Sequence, residues 1–152
     1  MMFTYHSCVL VMILALCTGV TRGQCPEKCH CEGLRVNCRG QKLSTIPPPL
    51  PNATDLDLEN NLLATLTDDS LRGWQNLTTL DLTLNMLASL SDDAFKGLQN
   101  LQKLYLYGNR LRNISRKWFK GLTQLHTLEL GLNMLASLPD DAFKELSNLE
   151  TL

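Results

Sequence analysis

Four closely spaced cysteines near the start of the chain carry the clearest chemical signal in the sequence. They are Cys25, Cys29, Cys31 and Cys38. Such a group could ligate zinc or form two disulfides, but structural zinc sites usually present two separated pairs of ligands. Cysteines of an exported chain are normally oxidised. We therefore expect two disulfides, and the spacing alone leaves three pairings open.

Export is predicted from the first residues of the chain. The unbroken apolar run at residues 8–17, followed by the small residues Thr21 and Gly23, predicts a signal peptide over residues 1–23, cleaved before Gln24. The run is too short for a membrane span, which needs about 20 residues. We expect the mature chain to be secreted or to lie on the extracellular side of the plasma membrane.

Three acidic doublets recur further along the chain. They are Asp68-Asp69, Asp92-Asp93 and Asp140-Asp141. Stacked carboxylates can ligate calcium, but acidic residues also favour the start of a short helical turn. The equivalent place in one copy holds Arg116 and Lys117. Opposite charges on neighbouring copies favour surface ion pairs, so we expect neither a metal nor a cofactor.

The overall charge and the lack of a catalytic motif exclude other classes of protein. The chain has 152 residues, with 14 Lys and Arg against 15 Asp and Glu, so it carries almost no net charge. That balance excludes a broadly basic nucleic-acid binder. Nor does the sequence offer a glycine-rich phosphate loop or a set of nucleophile, base and metal ligands. We expect no enzymatic activity and no nucleic-acid partner.

A repeat of 24 residues organises most of the chain. The predicted units are a cysteine-rich cap at 24–52 and repeats at 53–76, 77–100, 101–124 and 125–148, with a partial repeat at 149–152. Within each repeat, two leucines separated by one residue predict a short strand with one buried face. A second apolar column is expected from Leu71, Phe95, Phe119 and Phe143.

One asparagine follows each predicted strand at the same register. These are Asn61, Asn85, Asn109 and Asn133. An amide side chain supplies both a donor and an acceptor, and a turn inside a stack leaves backbone groups that water cannot reach. We expect a buried asparagine ladder that satisfies the loops above and below each copy.

The repeat pattern L-x-x-L-x-L-x-x-N-x-L with a following F-x-x-L resembles the extracellular leucine-rich repeat family. Receptors of the variable lymphocyte and Toll-like types, Slit-type guidance proteins and small leucine-rich proteoglycans share such repeats and a cysteine-rich N-terminal cap. The resemblance implies pairing of Cys25 with Cys31 and of Cys29 with Cys38. It also implies an α/β leucine-rich repeat solenoid with short parallel strands on a concave face and irregular or short helical segments on a convex face.

The predicted solenoid ends one residue into a strand. Leu128, Leu130, Leu135, Phe143 and Leu149 would then lie at an uncovered end. Because a solenoid needs terminal caps, we expect this to be the front part of a longer protein or the product of an incomplete gene model. Any membrane attachment would come only through sequence beyond residue 152.

Binding in such a scaffold is expected from the side chains that point outward from the strands. The candidate ligand-binding residues are Asp57, Asp81, Lys103, Tyr105, Tyr107, Arg110 and Glu129. Aromatic and arginine anchors in polar surroundings are typical of protein interfaces. A solvated face without a ligand is the alternative.

Three N-x-S/T sequons, at Asn52, Asn76 and Asn113, predict N-glycosylation. For the function, the sequence favours an extracellular recognition module that binds a protein or glycan through its concave face, as in a receptor ectodomain. The alternative is a structural extracellular-matrix protein of the small proteoglycan type.

Overall fold

A computed structural model describes residues 23–152 of the chain, so the predicted signal peptide lies outside the described residues except for Gly23. The strands are β1 (His30–Glu32), β2 (Arg35–Asn37), β3 (Asp55–Asp57), β4 (Thr65–Leu66), β5 (Thr79–Asp81), β6 (Ser89–Leu90), β7 (Lys103–Tyr105) and β8 (Thr127–Glu129). One short 3-10 helix spans Arg116–Phe119.

Six of the strands form one sheet in the order β1-β2-β3-β5-β7-β8. Strands β1 and β2 are antiparallel, and every later neighbour is parallel. The register pairs Leu56 with Leu80, Leu80 with Leu104, and Leu104 with Leu128. This pairing follows the 24-residue shift and confirms the predicted solenoid with short parallel strands.

The inward leucines of successive coils form a continuous core. Leu56, Leu80, Leu104 and Leu128 are each at most 1% exposed. On the far side of the coil, Phe95 and Phe119 are buried, and the ring centroids of Phe119 and Phe143 lie 5.8 Å apart. No single repeat could bury its apolar face alone, so the stacking of coils stabilises each of them.

The convex side is built mostly from turns. A second, two-stranded sheet joins β4 to β6. The acidic doublets lie in short turns, in which the carbonyl oxygens of Asp69, Asp93 and Asp141 each accept the backbone N–H three residues later. The 3-10 helix begins instead at the basic Arg116, where the side chain of Ser115 caps the backbone N–H of Lys117. The large Trp118, which stands where two other coils have Ala94 and Ala142, accompanies this difference.

The cysteine-rich segment closes the N-terminal end of the core. Disulfides join Cys25 to Cys31 and Cys29 to Cys38, which is the pairing that the resemblance implies. Val36 and Cys38 are at most 1% exposed and pack on the first leucine layer. The β1-β2 hairpin therefore continues the sheet while covering its first edge.

The last residues cover part of the expected open end. The backbone N–H of Leu128 donates to the carbonyl oxygen of Thr151 at 3.0 Å, and Thr127 pairs with Thr151. Leu128 is consequently 0% and Leu130 9% exposed, so the expectation of uncovered side chains is wrong for these two. Among the described residues, no helix has the length and apolarity that crossing a membrane requires.

Candidate functional site

The predicted ligand-binding residues lie on the concave side of the six-stranded sheet. Strand pairing sets Asp57 beside Asp81, Asp81 beside Tyr105, and Tyr105 beside Glu129. These four half-buried residues form one row, here called the central row. Neighbouring strands lie about 4.8 Å apart, so a ligand on Tyr105 reaches both flanking carboxylates.

Tyr105 is the aromatic centre of this row. Its pKa is raised above the ordinary tyrosine value, first because burial disfavours the phenolate and then because the carboxylates of Glu129 and Asp81 oppose a second negative charge. Tyr105 is therefore a neutral ring with a hydroxyl at neutral pH. Such a ring offers apolar area and one hydrogen-bonding group, as protein interfaces favour.

Tyr107 lies beside the central row and is 36% exposed. Its ring leans over Gly131 of the next coil, where an added Cβ would meet Tyr107 Cδ2 at 3.0 Å. Leu84 lies over Gly108 in the same manner, since a Cβ on Gly108 would meet Leu84 Cδ2 at 2.7 Å. The glycines of the following coils therefore leave room for Leu84 and Tyr107 to lie along the surface.

The two basic candidates lie outside the central row. Lys103 begins the strand that carries Tyr105, and Arg110 follows the ladder residue Asn109. Both are exposed, and neither forms an ion pair among the described residues. They bound the row on its two sides rather than joining it.

A group of three carboxylates lies at the N-terminal end of the concave face. Asp57, Glu59 and Asp81 each offer an oxygen within 4.8 Å of the others. Glu59 is paired with Arg39 of the cap at 2.6 Å, and Asp57 and Asp81 accept backbone N–H groups. Arg39 was missed in the sequence because the cap has no repeat register to place it.

The asparagine ladder is buried and runs in one direction. Asn61, Asn85 and Asn109 are at most 5% exposed, and Asn133 is partly buried. Asn109 Nδ2 donates to the carbonyl oxygens of Leu82 and Leu106, and its Oδ1 accepts from the backbone N–H of Leu87. Asn85 and Asn133 repeat this pattern on their own coils.

Each ladder residue therefore contacts its own coil and the preceding one. The expectation that each asparagine satisfies the loops of both neighbouring coils is wrong. The chain turns tightly before each asparagine, and the residue just before it has a left-handed backbone. The φ angles are +58° at Asn60, +53° at Leu84, +67° at Gly108 and +49° at Leu132.

A second asparagine column was not found in the sequence. Asn76 Nδ2 donates to the carbonyl oxygen of Pro51 at 2.7 Å, and Asn148 Nδ2 to that of Thr123 at 2.7 Å. Asn100 makes a longer contact with Gln75. The common 24-residue shift was the signal that could have revealed it. Asn76 is thus both a structural contact and a predicted glycan site.

The sequons lie on the surface. Asn52, Asn76 and Asn113 are exposed. Asn52 and Asn76 precede β3 and β5 at equivalent places, whereas Asn113 follows the ladder of the third repeat. Their glycosylation stays a prediction. None of the three lies in the central row, so glycans there would leave it accessible.

The convex charges pair with one another across coils. Arg116 binds Asp141 at 2.7 Å, and Lys117 binds Asp92 at 2.8 Å. The side-chain hydrogen bond from Lys117, followed by that from Ser115, lowers the pKa of Asp92. The bond from Arg116 lowers the pKa of Asp141. The alternating charges of the sequence thus form surface ion pairs.

Family comparisons agree with this architecture. The leucine-rich repeat family matches residues 51–111 and 99–152, and the leucine-rich repeat N-terminal domain matches residues 24–51. In the crystal structure of a TLR13-ssRNA13 complex, a chain is similar to this one with a TM-score of 0.73 and 28% identity. The similarity covers 80% of this chain and 18% of that one.

Three relatives share shorter stretches of sequence. Peroxidasin homolog pxn-2 of Caenorhabditis elegans is 43% identical over 35% of this chain and 4% of its own length. Biglycan of Mus musculus is 38% identical over 40% of this chain and 16% of its own. Leucine-rich repeat-containing protein 3 of Danio rerio is 30% identical over 46% of this chain and 29% of its own.

These matches concern the repeats and their cap, and the chain spans less than a third of each of these relatives. The matched families are those of a binding scaffold, and no catalytic family is among them. With its disulfide-bonded cap and its 24-residue coils, this chain belongs to the cysteine-capped extracellular leucine-rich repeat family.

Proposed function

We propose that the chain is an extracellular recognition module that binds a protein through its concave face, as part of a receptor ectodomain. The observation that carries this proposal is the difference between the two faces. The convex charges of Arg116 and Lys117 are already paired with carboxylates of neighbouring coils. On the concave face, Tyr105 and Tyr107 lie side by side among charges that a partner can meet.

The composition of the concave face fits an interface. Two tyrosines at the centre supply rigid apolar area at low entropic cost, and charged residues around them supply selectivity. These outward side chains are not part of the folding core. The core is formed by the inward leucines, and those on either side of Tyr105 are fully buried. The face can therefore vary without loss of the fold.

Site-specific crosslinking tests the proposal. Tyr105 is replaced by the photoreactive residue p-benzoylphenylalanine, and Lys117 on the convex face is replaced in the matched control. Each purified protein is irradiated with a panel of extracellular domains and of free glycans. We expect a protein adduct from position 105 and none from position 117. Adducts from position 117 alone would place recognition on the convex face.

A structural role in the extracellular matrix is the second candidate, and the similarity to biglycan is the observation that favours it. The two roles differ in stoichiometry. A receptor module binds one partner at one saturable site, whereas a matrix component of the small proteoglycan type co-sediments with assembled fibrils. Sedimentation with assembled extracellular-matrix fibrils separates the two roles, because only a matrix component should appear in the fibril pellet.

A further inference from the structure

On the concave face of the sheet, the aromatic ring of Tyr105 has one carboxylate on each side. Asp81, Tyr105 and Glu129 occupy one register position on three consecutive parallel strands. All three are half-buried, so their positions are held by the sheet rather than by flexible loops. At a strand spacing of about 4.8 Å, the two carboxylates lie roughly 10 Å apart with the ring between them.

These two carboxylates differ from most of those on the convex face in having no cation beside them. Asp92, Asp93 and Asp141 are each paired with a lysine or arginine. Neither Asp81 nor Glu129 forms an ion pair among the residues that the structure describes. One oxygen of Asp81 accepts the backbone N–H of Thr83 and so fixes the carboxylate. Their charge is available to a partner.

The ring between them adds a second kind of attraction for a cation. A tyrosine face attracts an ammonium or guanidinium group through its quadrupole, and more strongly where water is partly excluded. The partial burial that raises the pKa of Tyr105 is such an environment. A planar guanidinium on the ring can also donate hydrogen bonds to a carboxylate on either side.

The surrounding charges limit the size of the cationic group. Lys103 lies two residues before Tyr105 on the same strand, and Arg110 lies beyond the ladder. Both would repel a broad basic surface, whereas one cationic side chain inserted between them meets less of that repulsion.

We infer that Asp81, Tyr105 and Glu129 together seat a single arginine or lysine side chain presented by the protein partner. The inference rests on the proposed function, and it specifies the chemistry of the partner at the centre of the interface. A partner that offers an acidic or purely apolar residue at this place would leave two carboxylates without compensation.

The test uses N-acetyl-arginine amide as the probe, titrated into the chain labelled at its tyrosines and backbone amides for NMR. The neutral analogue N-acetyl-citrulline amide is the control ligand, since it keeps the shape and removes the charge. We expect saturable shifts at Tyr105 and its two neighbours with a Kd on the order of 1 mM or weaker, and none with citrulline. Equal shifts with both ligands, or no shift in the row, would overturn the inference.

Variants then test the two carboxylates. Asp81→Ser with Glu129→Gln keeps an oxygen for the Thr83 N–H and removes both charges. We expect it to weaken arginine amide binding by about threefold to tenfold. The control, Asp68→Ser with Asp69→Ser on the convex face, should bind as the wild type does. Equal binding by the two variants would contradict the cation seat.

The same pair of carboxylate changes separates this inference from the proposed function. If crosslinking from position 105 persists in the Asp81→Ser, Glu129→Gln variant with unchanged partner affinity, the concave face binds but does not seat a cation there. If no partner contacts position 105 at all, the proposed function itself has failed.

Discussion

The side-chain amide of Asn109 binds the carbonyl oxygen of Leu82 one coil earlier, with 2.9 Å between Nδ2 and O. The same oxygen accepts from Asn85 at 3.1 Å. The carbonyl oxygens of Leu58 and Leu106 are likewise shared by the asparagines of two coils. The backbone N–H of Leu87, in contrast, donates to Asn109 Oδ1 at 3.0 Å. The ladder therefore ties every coil back toward the disulfide-bonded cap.

Replacing Asn109 by alanine should lower the free energy of unfolding by about 1 to 3 kcal/mol, because the buried N–H of Leu87 loses its acceptor. The shared carbonyls of Leu82 and Leu106 keep their other asparagine. Urea unfolding followed by circular dichroism measures the change, with the exposed Asn100→Ala as control. An unchanged transition would mean that the ladder does not stabilise the fold.

Removing either disulfide of the cap should lower the free energy of unfolding, and the two disulfides should differ in how much. Removing the Cys29–Cys38 disulfide with two serines should destabilise by about 2 to 5 kcal/mol, because it also places a hydroxyl at the fully buried position 38. The Cys25–Cys31 pair is more exposed, so its removal should cost less. Melting temperatures of the two double variants decide the order, and the reverse order would contradict it.

Leu132 combines a left-handed backbone, φ +49°, with 70% exposure. A leucine in that conformation is strained by roughly 1 kcal/mol, whereas asparagine tolerates it, as Asn60 does at the equivalent place. Leu132→Asn should therefore raise the free energy of unfolding by up to about 1 kcal/mol. Leu34→Asn is the control, because Leu34 is 52% exposed without a positive φ. Equal gains in both variants would point to surface polarity instead of backbone strain.

The convex ion pairs should make stability depend on pH. The folded-state pKa values of Asp92 and Asp141 are lowered. The two carboxylates therefore contribute to the free energy of unfolding above the ordinary aspartate pKa of about 3.9. That contribution is lost as the pH falls through the folded-state pKa. The raised pKa of Lys117, caused by Asp92, gives a contribution that is complete below the ordinary lysine value of about 10.4. It is lost as the pH rises through the folded pKa.

A variant with Arg116→Ala and Lys117→Ala should consequently be less stable than the wild type at pH 7, and the difference should shrink at a low pH, below the folded-state pKa values of Asp92 and Asp141. Urea unfolding at both pH values tests this. Arg112→Ala, which removes an arginine outside the ion pairs of the described chain, should show no such pH dependence. A difference that persists at low pH would have to come from lost packing.

The repeat made most of the fold predictable, because one 24-residue shift places Leu80, Leu104 and Leu128 in register on adjacent strands. It likewise predicted which side chains point outward. The direction of the ladder was not predictable, because the spacing of the asparagines alone is compatible with contacts to either neighbouring coil. Nor was the pairing of Arg39 with Glu59, since the cap lies outside the period. Tyr107 can lean over Gly131 only because glycine has no side chain, and this position is a variable one in the repeat pattern.

Recognition by the concave face at Tyr105 and Tyr107 is open to a single comparison of affinities. The Kd for the crosslinked partner is measured for the wild type, for Tyr105→Ala with Tyr107→Ala, and for Arg116→Ala with Lys117→Ala, under conditions where all three are folded. We predict that the tyrosine variant loses about 2 kcal/mol or more, roughly thirtyfold in Kd, while the convex variant binds as the wild type does. Loss of binding in the convex variant, with the tyrosine variant unaffected, would show that the partner binds the convex face instead.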